Sequence, residues 1–184
     1  MILFNQRMDE NYARYSDLTI LYDENSSEGL TYGQLNDLSG RVYHFLKANH
    51  IGKEDFVLIR LPRGIQAVVA MIGVMKSGAA FVLGEEGMPL ERLEYIRRDC
   101  NCKFEFHADN WAEIMNGPLL EGRESPDKHD AAFAIYTSGT TGNPKGVLHE
   151  YGNIDRDLIA QRAVDMPFAE GKETDEIPTL SSSS

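Results

Sequence analysis

The stretch of sequence that decides the fold reads Ala131-Ala132-Phe133-Ala134-Ile135-Tyr136-Thr137-Ser138-Gly139-Thr140-Thr141-Gly142-Asn143-Pro144-Lys145-Gly146-Val147-Leu148. Its first six residues are apolar, as in a buried strand, and they run directly into a loop of small and hydroxyl residues. Glycines let a backbone approach a ligand closely, and successive N–H groups that point one way form an anion-binding nest. The hydroxyls and Lys145 add hydrogen-bond donors and a positive charge. This combination predicts a loop that binds a polyphosphate.

The loop does not follow the Walker A pattern, in which Gly-x-x-x-x-Gly-Lys is followed by Ser or Thr. Counted from Gly139, the second glycine falls at Pro144, and Gly146 stands where the hydroxyl residue belongs. The alternative to phosphate binding is a flexible surface hairpin without a ligand. We favour phosphate binding, because a glycine-rich hairpin requires neither the hydroxyls nor the lysine.

A second strand is expected directly after the loop. The segment between Ile135 and Val147 has no room for a crossover helix, whereas parallel neighbours need a connection of about a dozen residues or more. The strand after Gly146 should therefore run antiparallel to residues 131–136.

The rest of the chain alternates short apolar strands with amphipathic helices. Thr31 and Gln34 are spaced as a capping box, and Pro89 suits the first turn of another helix. The alternation predicts an α/β fold with a layered βαβ sheet that is mostly parallel, joined by right-handed crossovers. Strands are expected at 56–59, 79–83, 103–107 and 131–136, and helices are expected to start near 31, 65 and 89. The apolar stripe expected on the third helix consists of Leu90, Leu93 and Ile96.

Composition excludes several classes of partner. The 184 residues include 18 Lys and Arg against 29 Asp and Glu, a net charge of −11 that disfavours nucleic acid and anionic membranes. The longest strongly apolar run, 67–75, is too short to span a bilayer, and a cytoplasmic location is expected. Cys100 and Cys102 are poorly spaced for a mutual bridge and are expected to be free thiols without redox activity. His107 and His149 lack partners at metal-ligand spacing and are expected to have a structural or surface role.

The C-terminal stretch differs in character from the rest. Residues 150–184 carry eight acidic side chains against three basic ones. Residues 155–164 can form one helix, but little apolar surface follows Pro167. We expect residues 1–155 to form the folded part and residues 156–184 to form an acidic, disordered tail.

Residues 136–147 resemble, nearly residue for residue, the phosphate-loop signature of the adenylate-forming ligases. This family includes nonribosomal peptide synthetase adenylation domains, acyl-CoA synthetases and firefly luciferase. Residues 30–35 resemble the family's first motif and residues 75–82 its second, in the same order along the chain. The resemblance is closest to amino-acid adenylation domains. It covers about residues 18–155, so that residues 1–155 look like the N-terminal part of the family's large domain.

The resemblance implies a reaction as well as a fold. A carboxylic acid, by this resemblance an amino acid, would be activated with ATP and Mg²⁺ as an acyl-adenylate, with release of pyrophosphate. The acyl group would then pass to a thiol, such as that of a phosphopantetheine carrier. The residues that the resemblance assigns to ATP binding are Thr137, Ser138, Gly139, Thr140, Thr141, Gly142 and Lys145.

Other parts of the family pattern have no counterpart in this chain. These are the adenine-stacking motif, the magnesium-holding Glu, the ribose-binding Asp and the lysine of the second domain. The chain therefore looks like an N-terminal fragment that is catalytically incomplete alone, with no catalytic residue and no metal ligand assigned. In addition, residues 83–88 replace a Pro- and Asp-containing stretch, and Tyr151 stands where many members have His.

Two alternatives to a ligase fragment remain open. The chain could be a non-catalytic remnant that still binds a nucleotide or a partner, or a structural fragment without activity. A fragment of a larger domain is also expected to expose an apolar face on its sheet and on the helices at 65–76 and 89–100. Such a face favours self-association.

Overall fold

The computed structural model describes residues 2–23, 29–84, 87–137 and 144–165, with side chains described up to residue 160. In chain order its elements are α1 (Leu3–Arg14), β1 (Thr19–Tyr22), β2 (Gly29–Thr31), α2 (Tyr32–Ala48), β3 (Phe56–Arg60), α3 (Ile65–Lys76), β4 (Ala80–Leu83), α4 (Leu90–Asp99), β5 (Phe104–His107), α5 (Ala108–Met115), β6 (Ala131–Thr137), β7 (Lys145–Glu150) and α6 (Tyr151–Asp165).

Five strands form one sheet in the order β5-β3-β4-β6-β7. β3 pairs in parallel with β4 and β5, and β4 pairs in parallel with β6. β7 runs antiparallel to β6, which confirms the expected direction of the strand after the loop. The predicted α/β fold with a mostly parallel sheet is therefore confirmed. β1 and β2 form a separate antiparallel pair that the sequence analysis did not predict.

Apolar side chains on both faces hold this sheet between helices. On one face Val57, Ile59 and Phe81 belong to a hydrophobic cluster with residues of α1, α2, α3, α5 and α6. On the other face Leu58 and Val82 pack with α4. Adjacent residues of one strand thus point to opposite clusters, as the pleat requires. This explains why the strands appear in the sequence as continuous apolar runs.

The start of α2 is the best local prediction. The Thr31 hydroxyl oxygen accepts a hydrogen bond from the Gln34 backbone N–H at 3.2 Å, and the Gln34 side-chain oxygen accepts one from the Thr31 N–H at 2.9 Å. This is the capping box that the spacing predicted. α3 likewise has the expected start at residue 65.

The start of α4 differs from the prediction by one residue. Pro89 is the N-cap rather than a residue of the first turn, and Leu90 is 78% exposed whereas Leu93 and Ile96 are buried. The predicted stripe is therefore wrong at Leu90. Steps of three residues drift by about 60° around an α-helix, which places Leu90 about 120° from Ile96.

α1 and α6 are joined by a contact between residues that are far apart in the chain. The N-cap of α1, Ile2, has no side-chain hydrogen bond, and the backbone N–H groups of Leu3 and Phe4 instead donate to the two carboxylate oxygens of Asp155 at 2.9 and 3.0 Å. A carboxylate at a helix N-terminus satisfies free N–H groups and favours the helix dipole. Because α6 supplies this cap, the residues next to the start of α1 contain no capping pattern that would predict the helix.

The predicted domain boundary falls inside α6, which runs from Tyr151 to Asp165. The division into residues 1–155 and 156–184 stays a prediction, and residues 166–184 lie outside the described residues. Among the helices that the structure describes, none combines the length and the apolar content needed to cross a membrane.

Large exposed apolar side chains lie on strands and on other helices, such as Leu90 on α4, rather than on α3. Seven of the twelve residues of α3 are buried, so this helix does not form the exposed face that the sequence analysis expected. Instead, large apolar side chains that are about half exposed lie on β4, β6 and β7, namely Leu83, Ile135, Val147 and Leu148.

α2 and α3 pack closely where Gly73 faces Val42. A methyl group at Gly73 would lie 2.4 Å from the Val42 Cβ, so the position has no space for a side chain. The packing of α2 against α3 also buries Lys76, which is 2% exposed. Its ammonium group donates to the Asn36 carbonyl at 2.9 Å and to the Asn36 side-chain oxygen at 2.7 Å. Burial, reinforced by the charge of Arg123, lowers the pKa of Lys76 to about 8.

The free energy of unfolding should depend on pH through Lys76. The pKa of Lys76 is about 8 in the folded chain, whereas the ordinary lysine value, which applies to the unfolded chain, is 10.5. Between these values the unfolded chain binds more protons, so the contribution of Lys76 to stability rises with pH. Urea unfolding measures the free energy of unfolding of the native chain and of Lys76→Met at each pH. The value for the native chain minus that for the variant should rise by about 1 kcal/mol per pH unit from about pH 8 to pH 9.5. A difference that does not change with pH would contradict a lowered pKa.

Candidate phosphate-binding site

The ends of the predicted phosphate loop lie side by side in the sheet. β6 ends at Thr137 and β7 begins at Lys145, and these two residues are paired in the antiparallel ladder. Side chains of paired residues lie on the same face of a sheet, with Cβ atoms roughly 5 Å apart. Both side chains are exposed. A hydroxyl and an ammonium group are therefore available at the base of the loop.

The central part of the loop lies outside the described residues. Of the predicted site residues, Ser138, Gly139, Thr140, Thr141 and Gly142 fall in this part, so their assignment to ATP binding stays a prediction.

The first end of the loop, Thr137, lies at the carboxyl edge of the parallel strands. β3, β4, β5 and β6 all run in the same direction, so their carboxyl ends share one edge of the sheet. Thr137 is the last residue of β6, and the chain leaves the sheet at this edge. Open α/β sheets bind their ligands outside the carboxyl ends of the strands. The two ends of the loop, Thr137 and Lys145, are thus at the edge that the fold favours for a ligand.

Tyr136 and Gly146 form the next pair of the ladder and lie on the opposite face. The Tyr136 hydroxyl donates to the Asp99 carboxylate at 2.6 Å, which ties β6 to the end of α4. Burial, together with this contact to a carboxylate, raises the pKa of Tyr136. The Tyr136 ring covers Gly146 so closely that a methyl group there would lie 2.9 Å from the ring. Gly146 is therefore required by packing.

A stack of three rings crosses the face that carries Thr137 and Lys145. Phe81 of β4 stacks on Phe133 of β6 at 5.4 Å between ring centroids, and Phe133 stacks on His149 of β7 at 4.5 Å with an interplanar angle of 9°. Such contacts between neighbouring strands stabilise the pairing of the sheet. His149 therefore has a packing role, as expected, although the sequence analysis did not predict its partner.

Tyr151 is excluded from ligand contact by its burial. Its side chain is fully buried, and its hydroxyl donates to the Met75 carbonyl at 3.1 Å. Its backbone N–H donates to the Asp130 carbonyl at 3.1 Å. Burial raises the pKa of this hydroxyl. Tyr151 thus connects the start of α6 to α3 and the segment before β6.

A cavity of the described chain lies apart from this site. This cavity of about 390 Å³ opens beside α2 and α3, and none of its lining residues belongs to the loop or its two strands. Among the residues that the structure describes, no group of three or more His, Cys, Asp or Glu side chains could hold a metal ion.

Substitution of Gly146 by Ala should loosen the base of the loop. The added methyl group must displace the Tyr136 ring and weaken its hydrogen bond to Asp99, at an expected cost of about 1–3 kcal/mol in unfolding free energy. Urea denaturation measures this cost.

The matched control repeats Gly146→Ala in a Tyr136→Ala background, where the ring is gone. There the same substitution should cost less than about 0.5 kcal/mol. An equal cost in both backgrounds would show that the ring contact is not the reason for Gly146.

Comparisons with known proteins find a family profile that matches most of the chain. The profile of the family described as AMP-binding enzyme matches residues 8–118 and 105–181. The nonribosomal peptide synthetase apmB of Penicillium brevicompactum is 38% identical over 138 residues, which are 66% of this chain and 6% of apmB. Surfactin synthase subunit 2 of Bacillus subtilis is 36% identical over 141 residues, which are 68% of this chain and 4% of that subunit. The chain thus spans less than a tenth of the length of these relatives.

Solved structures share the fold. The complex of VinN with 3-methylaspartate superposes with a TM-score of 0.77 at 20% sequence identity, covering 88% of this chain and 51% of VinN. At this identity the likeness concerns the arrangement of helices and strands alone.

Proposed function

Because this chain belongs to the AMP-binding enzyme family, we propose that it forms the phosphate-binding part of an ATP-dependent ligase. The ligase activates a carboxylic acid as an acyl-adenylate and releases pyrophosphate. The observation that carries the proposal is the pairing of Thr137 with Lys145 at the carboxyl edge of the sheet. This pairing presents a hydroxyl and a positive charge together where ligands of such sheets bind.

The proposed role of the loop is to neutralise negative charge. When a carboxylate attacks the α-phosphorus of ATP, charge develops on the departing pyrophosphate, and positioned donors lower the barrier. Lys145 and the Thr137 hydroxyl supply such donors from the two ends of the loop. The hydroxyls of Ser138, Thr140 and Thr141 and the backbone N–H groups of the two loop glycines are proposed to complete the set. Magnesium would supply further charge neutralisation.

The proposed acid is an amino acid, and the proposed acceptor is the thiol of a phosphopantetheine carrier. Support for the amino acid comes from the relatives, which include the nonribosomal peptide synthetase apmB. We also propose a cytoplasmic location, which agrees with two free cysteines.

Lys145 should contribute to ATP binding more than other exposed lysines. ATP is expected to bind with a Kd on the order of 1 mM, about 4 kcal/mol of binding free energy. Loss of one charge-assisted contact in Lys145→Ala should weaken this affinity about tenfold. Chemical-shift titration with ATP and with pyrophosphate measures both constants.

The matched control is Lys103→Ala. Lys103 is exposed and precedes β5, so it lies at the amino edge of the sheet, away from the loop, and carries the same charge. Its removal should change the Kd less than twofold, since general charge effects are small and screened by salt. Equal losses in both variants would mean that ATP responds to net charge and not to the loop.

The isolated chain should bind ATP without adenylating an acid. Adenylation depends on positioning and on charge neutralisation by many groups, of which the loop supplies only the pyrophosphate end. Exchange of labelled pyrophosphate into ATP, run with all amino acids and with short fatty and aryl acids, should stay at background. Acid-dependent exchange that Lys145→Ala abolishes would show that the chain is sufficient for the reaction.

Self-association is a further part of the proposal, with a second copy of the chain as the partner. β7 is at the end of the sheet order, and Leu148 on this strand is about half exposed. Edge strands with exposed apolar side chains tend to pair with other chains. Sedimentation equilibrium should show concentration-dependent dimers that Leu148→Lys weakens.

The matched control for this experiment is Leu90→Lys on α4. Leu90 is more exposed than Leu148 but lies on a helix, so its substitution should leave the dimer unchanged. A monomer at all concentrations in the native chain would contradict self-association.

A further inference from the structure

The end of α4 brings two cysteines together. Cys100 is the C-cap of this helix, and Asn101 follows it with a φ of 48°, in the left-handed region. The Asn101 N–H donates to the Arg98 carbonyl at 3.2 Å and the Cys102 N–H donates to the Arg97 carbonyl at 3.0 Å. These two bonds define a Schellman turn, in which Asn is one of the few residues favoured at the left-handed position.

This turn places the two sulfur atoms in contact. Cys100 Sγ and Cys102 Sγ are 3.0 Å apart, about 1 Å more than the length of a disulfide bond. Both cysteines are free and partly exposed. The spacing of the two cysteines along the chain predicted a poor span for a mutual bridge. This prediction is wrong, because the spacing does not reveal the left-handed turn at Asn101. The geometry instead brings both thiols within reach of one reagent.

The two thiols have unequal environments. The hydrogen bond from the Cys102 thiol lowers the pKa of Cys100, whereas the same contact and burial raise the pKa of Cys102. Both side chains also rest on the apolar cluster between α4 and the sheet. A thiol with a lowered pKa beside one with a raised pKa is the arrangement of an attacking and a resolving cysteine.

We propose that Cys100 and Cys102 form a dithiol redox site, which a small-molecule disulfide such as oxidised glutathione converts reversibly into an internal disulfide. In the first step the Cys100 thiolate attacks one sulfur of the small disulfide, forms a mixed disulfide and expels one thiolate, which takes up a proton. In the second step Cys102 loses its proton and attacks the Cys100 sulfur, which expels the second thiol. Two protein thiols are oxidised and one small disulfide is reduced to two thiols.

The reversibility follows from the small ring. A bond between residues two positions apart closes a very short loop, so it gains little chain entropy and stays easily reducible. The site also adjoins the base of the candidate loop. Tyr136, which directly precedes Thr137, donates to Asp99 at 2.6 Å, and Asp99 directly precedes Cys100.

The test equilibrates the purified chain in buffers with a stepwise rising ratio of oxidised to reduced glutathione. Acid quenching followed by intact mass spectrometry should show the native chain losing two hydrogen atoms without retaining glutathione. Dithiothreitol should restore the original mass. Circular dichroism at each ratio reports whether the fold persists.

Single substitutions separate the roles of the two thiols. Cys102→Ser and Cys100→Ser each keep one thiol, cannot close the ring, and should accumulate one stable glutathione adduct. Cys102→Ser keeps Cys100 and replaces its hydrogen-bond donor by a hydroxyl, which can donate in the same way, so its adduct should form several-fold faster than that of Cys100→Ser.

Substitution of Asn101 tests the turn. Asn101→Gly keeps a residue that tolerates the left-handed region, whereas Asn101→Val disfavours it and should lower the ratio of disulfide to dithiol several-fold at a fixed glutathione ratio. Uptake of two glutathione molecules by the native chain, linkage between two chains in place of the internal bond, or no reaction at any ratio would each overturn the proposal.

Discussion

The antiparallel pairing of β6 with β7 is the constraint on which the candidate site depends. It holds Thr137 and Lys145 next to each other although seven residues, 138–144, lie between them. Without β7, Lys145 would have no fixed place relative to the sheet, and its charge would not be directed at any position. The pairing also joins α6 to the sheet, since Tyr151 follows β7 directly and is buried in the core. The site and the last helix therefore depend on one ladder.

The alternation of side chains along this ladder gives its two faces different roles. One face carries the proposed phosphate contacts, Thr137 and Lys145. On the same face, further along the two strands from the loop, His149 stacks on Phe133. The other face carries Tyr136, which covers Gly146 and is hydrogen-bonded to Asp99 at the end of α4. The end of α4 and the proposed phosphate contacts therefore lie on opposite faces of β6, so that only this strand separates them. The dithiol site at the end of α4 is therefore close to the proposed phosphate-binding site.

Polar groups inside the fold join parts of the chain that are far apart in sequence. Asp155 satisfies the free N–H groups of α1, Tyr151 donates to a carbonyl of α3, and Lys76 donates to Asn36 of α2. Polar groups that lose contact with water on folding cost free energy unless they are paired, so each bond restricts how its two elements can be arranged. The helices are thereby held in one arrangement that apolar packing alone would specify less strictly.

The sequence by itself determined the features that depend on neighbouring residues. The capping box at Thr31 specifies where α2 begins, and the short segment between Ile135 and Val147 specifies that β7 runs antiparallel, because both follow from geometry over a few residues. Only the tertiary structure decided the cap of α1 by Asp155, the exposure of Leu90 and the meeting of the two cysteine sulfurs. The first two depend on which distant surfaces meet on folding. The third depends on a left-handed turn whose hydrogen bonds reach back into α4, and residue spacing does not encode it.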